Sequence, residues 1–286
     1  MDWTAVNTYI EQVERSEKQV LRPPGARVKV GVDLGTAYIV IVALDEDDNP
    51  IACEKRAANV LRDGVVVDYI GARRIVGELK AALEARIGRT LTQCAIAMPA
   101  GTESSTKTHI YVAEGAGFEV VRVLDEPTAA NALYRISNGA IVDIGGGTTG
   151  LAVFRDGRVV RVADEATGGV HLTLVLSGHL GVAWEEAERL KMERANHKKI
   201  LPIVTPVLEK MASIVKNRID AAETGVLYLC GGTCCMTGIE QIFEKHIGIP
   251  VCKPANPFLV TPAGIAMNCV MESDIGEGGG LCSSQS

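Results

Sequence analysis

The sequence predicts an α/β protein of two lobes, and three observations predict it. A turn built of Asp, Gly and Thr occurs twice, as Asp33-Leu34-Gly35-Thr36 and as Asp143-Ile144-Gly145-Gly146-Gly147-Thr148-Thr149. Strand-forming runs flank each copy, residues 28–32 and 38–44 around the first and 140–142 and 151–154 around the second, so each reads as the tight turn of a hairpin. Strands separated by helices follow each hairpin, the order that marks an α/β lobe. The repeat is an internal duplication, each lobe opened by the same turn.

The elements follow in order. Residues 2–21 read as an amphipathic helix, with Trp3, Val6, Ile10, Val13 and Val20 near helical spacing and charges between them. Pro23-Pro24-Gly25 breaks it. The helix either docks on the body, pairs with another subunit, or serves as an address for a partner. Strands are predicted to Leu44, over 51–56 and over 65–67, then a helix over 71–87 and a buried strand over 94–98 stopped by Pro99. A capped helix over 102–117, a strand over 119–124 and a helix over 127–137, with Pro127 in its first turn, close the first lobe. The second carries the hairpin from Gly139, a strand over 159–162, and helices over 169–180, 184–198 and 202–222. A strand over 226–230, a helix over 237–247, a strand at Val251 and a helix over 262–271 complete it. The predicted boundaries are a helix and linker at 1–25, lobes at 26–138 and 139–271, and a Gly- and Ser-rich disordered tail at 272–286.

Composition narrows the partners. Among 286 residues, 47% are hydrophobic, 22% charged and only 4% aromatic, which calls for a core of Val, Ile, Leu and Ala. A net charge of −6, with no basic stripe, argues against nucleic acid. No apolar run is long enough to span a bilayer and no signal-peptide pattern opens the chain, so a cytoplasmic location is expected. Eight cysteines include no C-x-x-C pair. Adjacent Cys234 and Cys235 lack a His companion, so the thiols read as structural groups in a reducing compartment.

The turns carry the chemistry. Glycines there let backbone N–H groups approach a phosphate, and the Thr hydroxyls add donors. Asp33 and Asp143 repel phosphate but suit a hydrated Mg²⁺ that the phosphates also touch. Two such turns face to face would grip a triphosphate from both sides.

Four blocks in this order resemble the superfamily of actin, sugar kinases and DnaK-type heat-shock chaperones. They are the two turns, residues 95–100 with Asp125-Glu126-Pro127-Thr128-Ala129-Ala130, residues 227–233, and Asn256-Pro257 with residues 262–266. The resemblance covers nearly all of 28–271 and implies a two-lobed actin-like ATPase of ribonuclease H-like lobes. It implies ATP or ADP and Mg²⁺ as ligands, with Asp33 and Asp143 holding the metal through water. Gly35, Thr36, Gly145, Gly146, Gly147, Thr148 and Thr149 would cradle phosphates. Glu126 would position a water near the γ-phosphate and, with Asp33 and Asp143, form the catalytic set. Gly231, Gly232 and Thr233 would line the base and ribose, and Glu188 and Lys191 would contact the ribose. Read without the resemblance, that last pair is a solvated ion pair.

The chain departs from the chaperones in places. Ala37 stands where a second hydroxyl is common, and Met192 and Cys235 stand where two arginines sandwich adenine. The lysine aimed at the γ-phosphate has no assigned counterpart, although Arg73, Arg74 and Lys80 lie in the right region. Short spacings imply reduced outer subdomains. Among compact members, the chain is similar to the EutJ family of ethanolamine-utilisation proteins. That implies a chaperone-like or reactivating factor of a bacterial microcompartment, its client a cobalamin-dependent ethanolamine ammonia-lyase. Residues 1–21 would then suit contact with shell or cargo. The alternative is a pseudo-ATPase scaffold or MreB-like assembly protein that binds nucleotide weakly. At most, a slow Mg²⁺-dependent ATPase is expected.

Overall fold

The computed structural model describes residues 1–100 and 103–270, without the side chains of 103–105. The expected tail, a Thr102 cap and Cys282 lie outside these residues. Helix α1 (Trp3–Ser16) precedes a sheet of β1 (Lys29–Leu34), β2 (Tyr38–Leu44), β3 (Pro50–Ala57), β6 (Gln93–Met98) and β7 (Glu119–Asp125). Between β3 and β6 lie a small hairpin, β4 (Leu61–Arg62) with β5 (Val65–Val66), and α2 (Tyr69–Ile87); α3 (Glu103–Gly115) joins β6 to β7. Helix α4 (Glu126–Tyr134) then leads to the second sheet of β8 (Gly139–Ile144), β9 (Thr149–Arg155), β10 (Arg158–Glu165), β11 (Leu227–Cys230) and β12 (Val251–Cys252). Its helices are α5 (Gly169–Leu180), α6 (Trp184–Met192), α7 (His197–Lys216), α8 (Ala221–Thr224) and α9 (Ile239–Ile247), and α10 (Val260–Met267) ends the described chain.

The duplication holds in space. One sheet runs β3-β2-β1-β6-β7 and the other β10-β9-β8-β11-β12, each a three-stranded antiparallel meander extended by two parallel strands. Strand alternation sorts the side chains into layers. Val30, Val32 and Leu34 of β1 enter the core beneath α2 and α3, and Val142 and Ile144 of β8 enter the core beneath α5, α7 and α9. Asp33 and Asp143 therefore fall on the opposite faces, which look toward the junction between lobes. A third core fills that junction: Val40 and Val42 of β2, Ile141, Ala152 and Phe154 of the second sheet, Tyr134 and Val260.

Helix α1 belongs to this third core. Asp2 caps it, and Val6, Ile10 and Val13 are buried, worth about 1.5–3 kcal/mol each when fully covered. Its first half rests on the second lobe. Trp3 meets Tyr134 and Tyr228 with centroids 6.0 and 6.2 Å away, and Asn7 Oδ1 accepts from Ala255 N at 2.8 Å. Its second half rests on the first lobe, where Tyr9 donates to Asp48 O at 2.7 Å and Arg86 donates to Ser16 O at 2.8 Å. Of the readings open for this segment, the structure shows a docked helix. It stops at Ser16, short of residue 21, because the chain turns there to pair Leu21 N with Ile51 O at 2.9 Å.

Other boundaries move for local reasons. Helix α4 ends at Tyr134, three residues before 137, where Arg135 takes φ 52° and the Asn131 side chain bonds Ile136 N at 2.8 Å. The second-lobe helices break at Glu193 instead of near 198. His197 there meets Lys191 O at 3.0 Å and Thr237 Oγ1 at 3.1 Å, which turns the chain. Pro202 and Pro206 consequently lie inside α7, on its exposed face, where the carbonyls they release can meet solvent. The outer part of the first lobe is reduced to the β4–β5 hairpin beside α2, and that of the second to α6 and α7.

The lobes are joined where α4 crosses α10. A side-chain carbon at Gly264 would collide with the Ala129 carbonyl and come 3.1 Å from Ala130 Cα, so the two backbones touch. Gly264→Ala is expected to destabilise the protein by about 1–3 kcal/mol, the range of an overpacked core, because the obstacle is backbone. Thermal unfolding of the variant against the parent checks this.

Candidate functional site

The two repeated turns meet across the junction. A side-chain carbon at Gly146 would lie 3.1 Å from Ala37 Cβ, and one at Gly147 would lie 2.6 Å from Thr36 Oγ1, so only glycine admits the opposing turn. Gly145 N donates to Thr148 O at 3.0 Å, closing the second turn. Its outward carbonyls are used by the next helix: Gly169 N and Val170 N donate to Gly145 O and Gly146 O at 3.0 and 2.9 Å. The N-terminus of α5 is thus fixed against the turn, with its positive dipole end toward the cleft.

Between the turns lies a cavity of about 80 Å³ lined by Asp33, Gly35, Thr36, Glu126, Asp143, Gly145, Gly146, Gly147, Thr148, Gly231 and Gly232. Asp143 is held by the Thr261 hydroxyl, which donates to its Oδ2, and Gly231 at φ 90° leaves room where any side chain would strike Oδ1. Glu126 opens α4, whose N-cap Asp125 accepts from Thr128 N at 2.9 Å. Among the described residues, no Lys or Arg lines this cavity. Burial first, and the Asp143 charge second, push Asp33 up to about 7. Glu126 is raised well above the usual carboxylate range by burial and by Asp143 and Asp33, and burial raises Asp143 as well. Asp164, which the sequence reading missed, joins them. It faces Gly150 across β9–β10, burial raises it to about 7, and its Oδ1 is buried without a hydrogen-bond partner. Its only sequence signal was a carboxylate at the end of a strand.

A larger cavity of about 260 Å³ adjoins the first and shares Ala37, Tyr38, Gly146, Gly232 and Phe258 with it. Glu188, Lys191 and Thr233, the residues expected at the ribose and base, line it. Lys191 Nζ reaches Glu188 at 2.7 Å, Gly169 O at 3.0 Å and Thr173 Oγ1 at 2.8 Å, so the pair is anchored and not merely solvated. Thr233 Oγ1 donates to Gly145 O at 2.7 Å, tying this wall to the phosphate turn. Met192 and Cys235 line the same cavity, joined by Tyr38, Lys55 and Phe258, which the sequence reading did not single out.

Some expected residues fall elsewhere. Thr149 lines neither cavity; its buried hydroxyl donates to Thr167 O at 2.7 Å and braces the approach to α5. Arg74 pairs with Glu78, Lys80 pairs with Glu84 at 2.7 Å, and Arg73 packs beside Gly115, so none of these cations lines the cleft. Seven described cysteines are free thiols, and burial raises each of them. Among the described residues no helix is long and apolar enough to cross a membrane.

Known proteins share these features. The Hsp70 protein family model matches residues 41–179 and the cell division protein FtsA model matches 140–266. Ethanolamine utilization protein EutJ of Escherichia coli K12 is 42% identical over 238 residues, 83% of this chain and 84% of its own. The crystal structure of EutJ from Carboxydothermus hydrogenoformans superposes with a TM-score of 0.87 at 42% identity, covering 93% of this chain and 99% of that one. MreB5 of Spiroplasma citri, solved bound to AMPPNP, superposes at 0.68 with 18% identity over 84% of this chain and 95% of its own, a likeness of fold alone. The fold is that of the actin-like ATPases.

The carboxylates set a pH dependence of unusual sign. Their folded values lie above their unfolded ones, so the folded state binds more protons and stability falls as pH rises from about 4 through 7. Metal-free protein is expected to melt at a lower temperature at pH 8 than at pH 5.5. Asp33→Asn should shrink that difference, and melting curves across the range check it.

Proposed function

The chain belongs to the EutJ family, and we propose that it is an ATP-binding, chaperone-like or reactivating factor in ethanolamine utilisation, with an ammonia-lyase as client. One observation carries the nucleotide reading: two facing glycine turns enclose Asp33, Glu126 and Asp143, with no protein cation lining their cavity. A polyphosphate with its divalent cation supplies the missing charge, and a nearby cation favours the ionised carboxylates. Asp33 and Asp143, which line this cavity from the two opposing turns, would hold Mg²⁺ through water. Glu188, Lys191, Gly232 and Thr233 would hold the nucleoside, whereas Gly231, expected with them, lines the phosphate cavity beside Asp143.

The turns touch in this structure, so nucleotide enters with the lobes apart and draws them together, and the client reads that motion. Hydrolysis, where it occurs, is positioning and charge stabilisation, with Glu126 placing the water. Without a Lys or Arg at the phosphates one source of that stabilisation is missing, and turnover is slow. Contact of residues 1–21 with a microcompartment shell or cargo would use the exposed face of α1 around Glu11, Glu14 and Arg15, because its apolar face is covered. One observation favours the second reading, an assembly scaffold: edge strand β10 shows Val159, Val160 and Val162 to solvent.

MgATP at about 100 times its Kd is expected to stabilise the protein by about 2.7 kcal/mol, raising its melting temperature. Asp143→Asn should abolish the shift; equal shifts in both proteins count against this site. Phosphate release supports the switch, and sedimentation that depends on nucleotide supports the scaffold.

A further inference from the structure

The larger cavity draws its walls from both lobes, and the contribution of the first lobe is specific. Tyr38 and Lys55 lie on one face of the β2–β3 pair: Val40 faces Lys55, and Tyr38 is two residues before it on the same side. Both reach Phe258, in the turn before α10. The Tyr38 ring stands 5.5 Å from the Phe258 ring at 72°, and Lys55 Nζ sits 5.3 Å from its centroid. Glu17, just past α1, holds that ammonium at 2.8 Å. From Tyr38 the contact continues across the cleft, its hydroxyl 3.7 Å from Met192 Sδ on the second lobe.

A flat aromatic edge and a cation on one side, with Leu172, Met192 and Met236 around them, is a surface for a planar, electron-rich heterocycle. Because the two cavities share Tyr38 and Phe258, a ligand with its phosphates between the turns would place its base against this wall.

We propose that Tyr38 and Lys55 are base-binding residues of the first lobe, which grip the nucleobase against Phe258 so that the base, like the phosphates, is held by both lobes. This rests on the nucleotide-site reading above. The consequence is that closure depends on the base and not on the polyphosphate alone, with recognition shared between aromatic and cationic groups instead of a guanidinium pair.

Calorimetric titration with MgATP and with magnesium tripolyphosphate, which lacks the base, tests it. Lys55→Gln, which lines only the larger cavity, is expected to weaken MgATP about tenfold, the scale of a lost base contact, while leaving tripolyphosphate binding unchanged; Tyr38→Ala, whose side chain borders both cavities, is expected to weaken MgATP more than tripolyphosphate. Equal losses for both ligands, or no loss for MgATP, would overturn the assignment. Wild-type protein that binds tripolyphosphate as tightly as MgATP would overturn it too. Wild-type protein that binds neither would instead sink the nucleotide site itself, and this role with it. Should Tyr38→Ala fail to fold, Lys55→Gln carries the test alone, since its side chain is partly exposed.

Discussion

The architecture turns on α10. At its start Thr261 donates to Asp143; along its length Gly264 touches the backbone of α4; near its end Ala266 lies where a side chain at Gly31 would be. Gly31 is two residues before Asp33 on the same face of β1. One short helix therefore sets the position of both carboxylates, one through a hydrogen bond and the other through a strand that can approach only because it carries glycine. The tolerance is small because the approaches at Gly264 and Gly31 are to backbone, which cannot rotate away as a side chain can.

What these contacts hold together is unfavourable by itself. Asp33, Glu126 and Asp143 line one poorly hydrated cavity with Asp164 near it; burial raises the proton affinity of all four, and the Asp143 charge adds to it at the other three. The strain is offset by the three apolar cores, whose aliphatic side chains are largely free of polar demands. Stability thus lies in the layers and tension in the cleft.

Much of this was legible in the chain. The twin turns announce themselves because a close approach of two backbones demands glycine, and because a carboxylate needed at a strand end leaves a fixed spacing. The block from Asp125 to Ala130 is similarly explicit, since cap, proline and small residues each answer a local requirement. Asp164, Tyr38 and Lys55 were not legible. Tyr38 and Lys55 line the larger cavity, and Asp164 comes near Asp143 and Glu126, through pairing between strands or packing between lobes, so nothing beside them in sequence marks them. Thr149 shows the opposite case: it sits within the motif, but its hydroxyl bonds Thr167 O and lines neither cavity. The break before α7 escaped notice because it is set by the ring of His197, bonded to groups from two other segments.

The first helix, seen as a mechanical part, is a splint. It is a rod of roughly 21 Å, fastened to one lobe near Trp3 and Asn7 and to the other near Tyr9 and Ser16. A helix does not stretch, so hinge rotation must slide or detach one fastening while the other holds. The end on the second lobe is held by aromatic edges and a single hydrogen bond from the backbone of Ala255. The chain leaving the other end is stitched into the first sheet through Leu21. Any change in the angle between the lobes would therefore have to be taken up at one of these two fastenings.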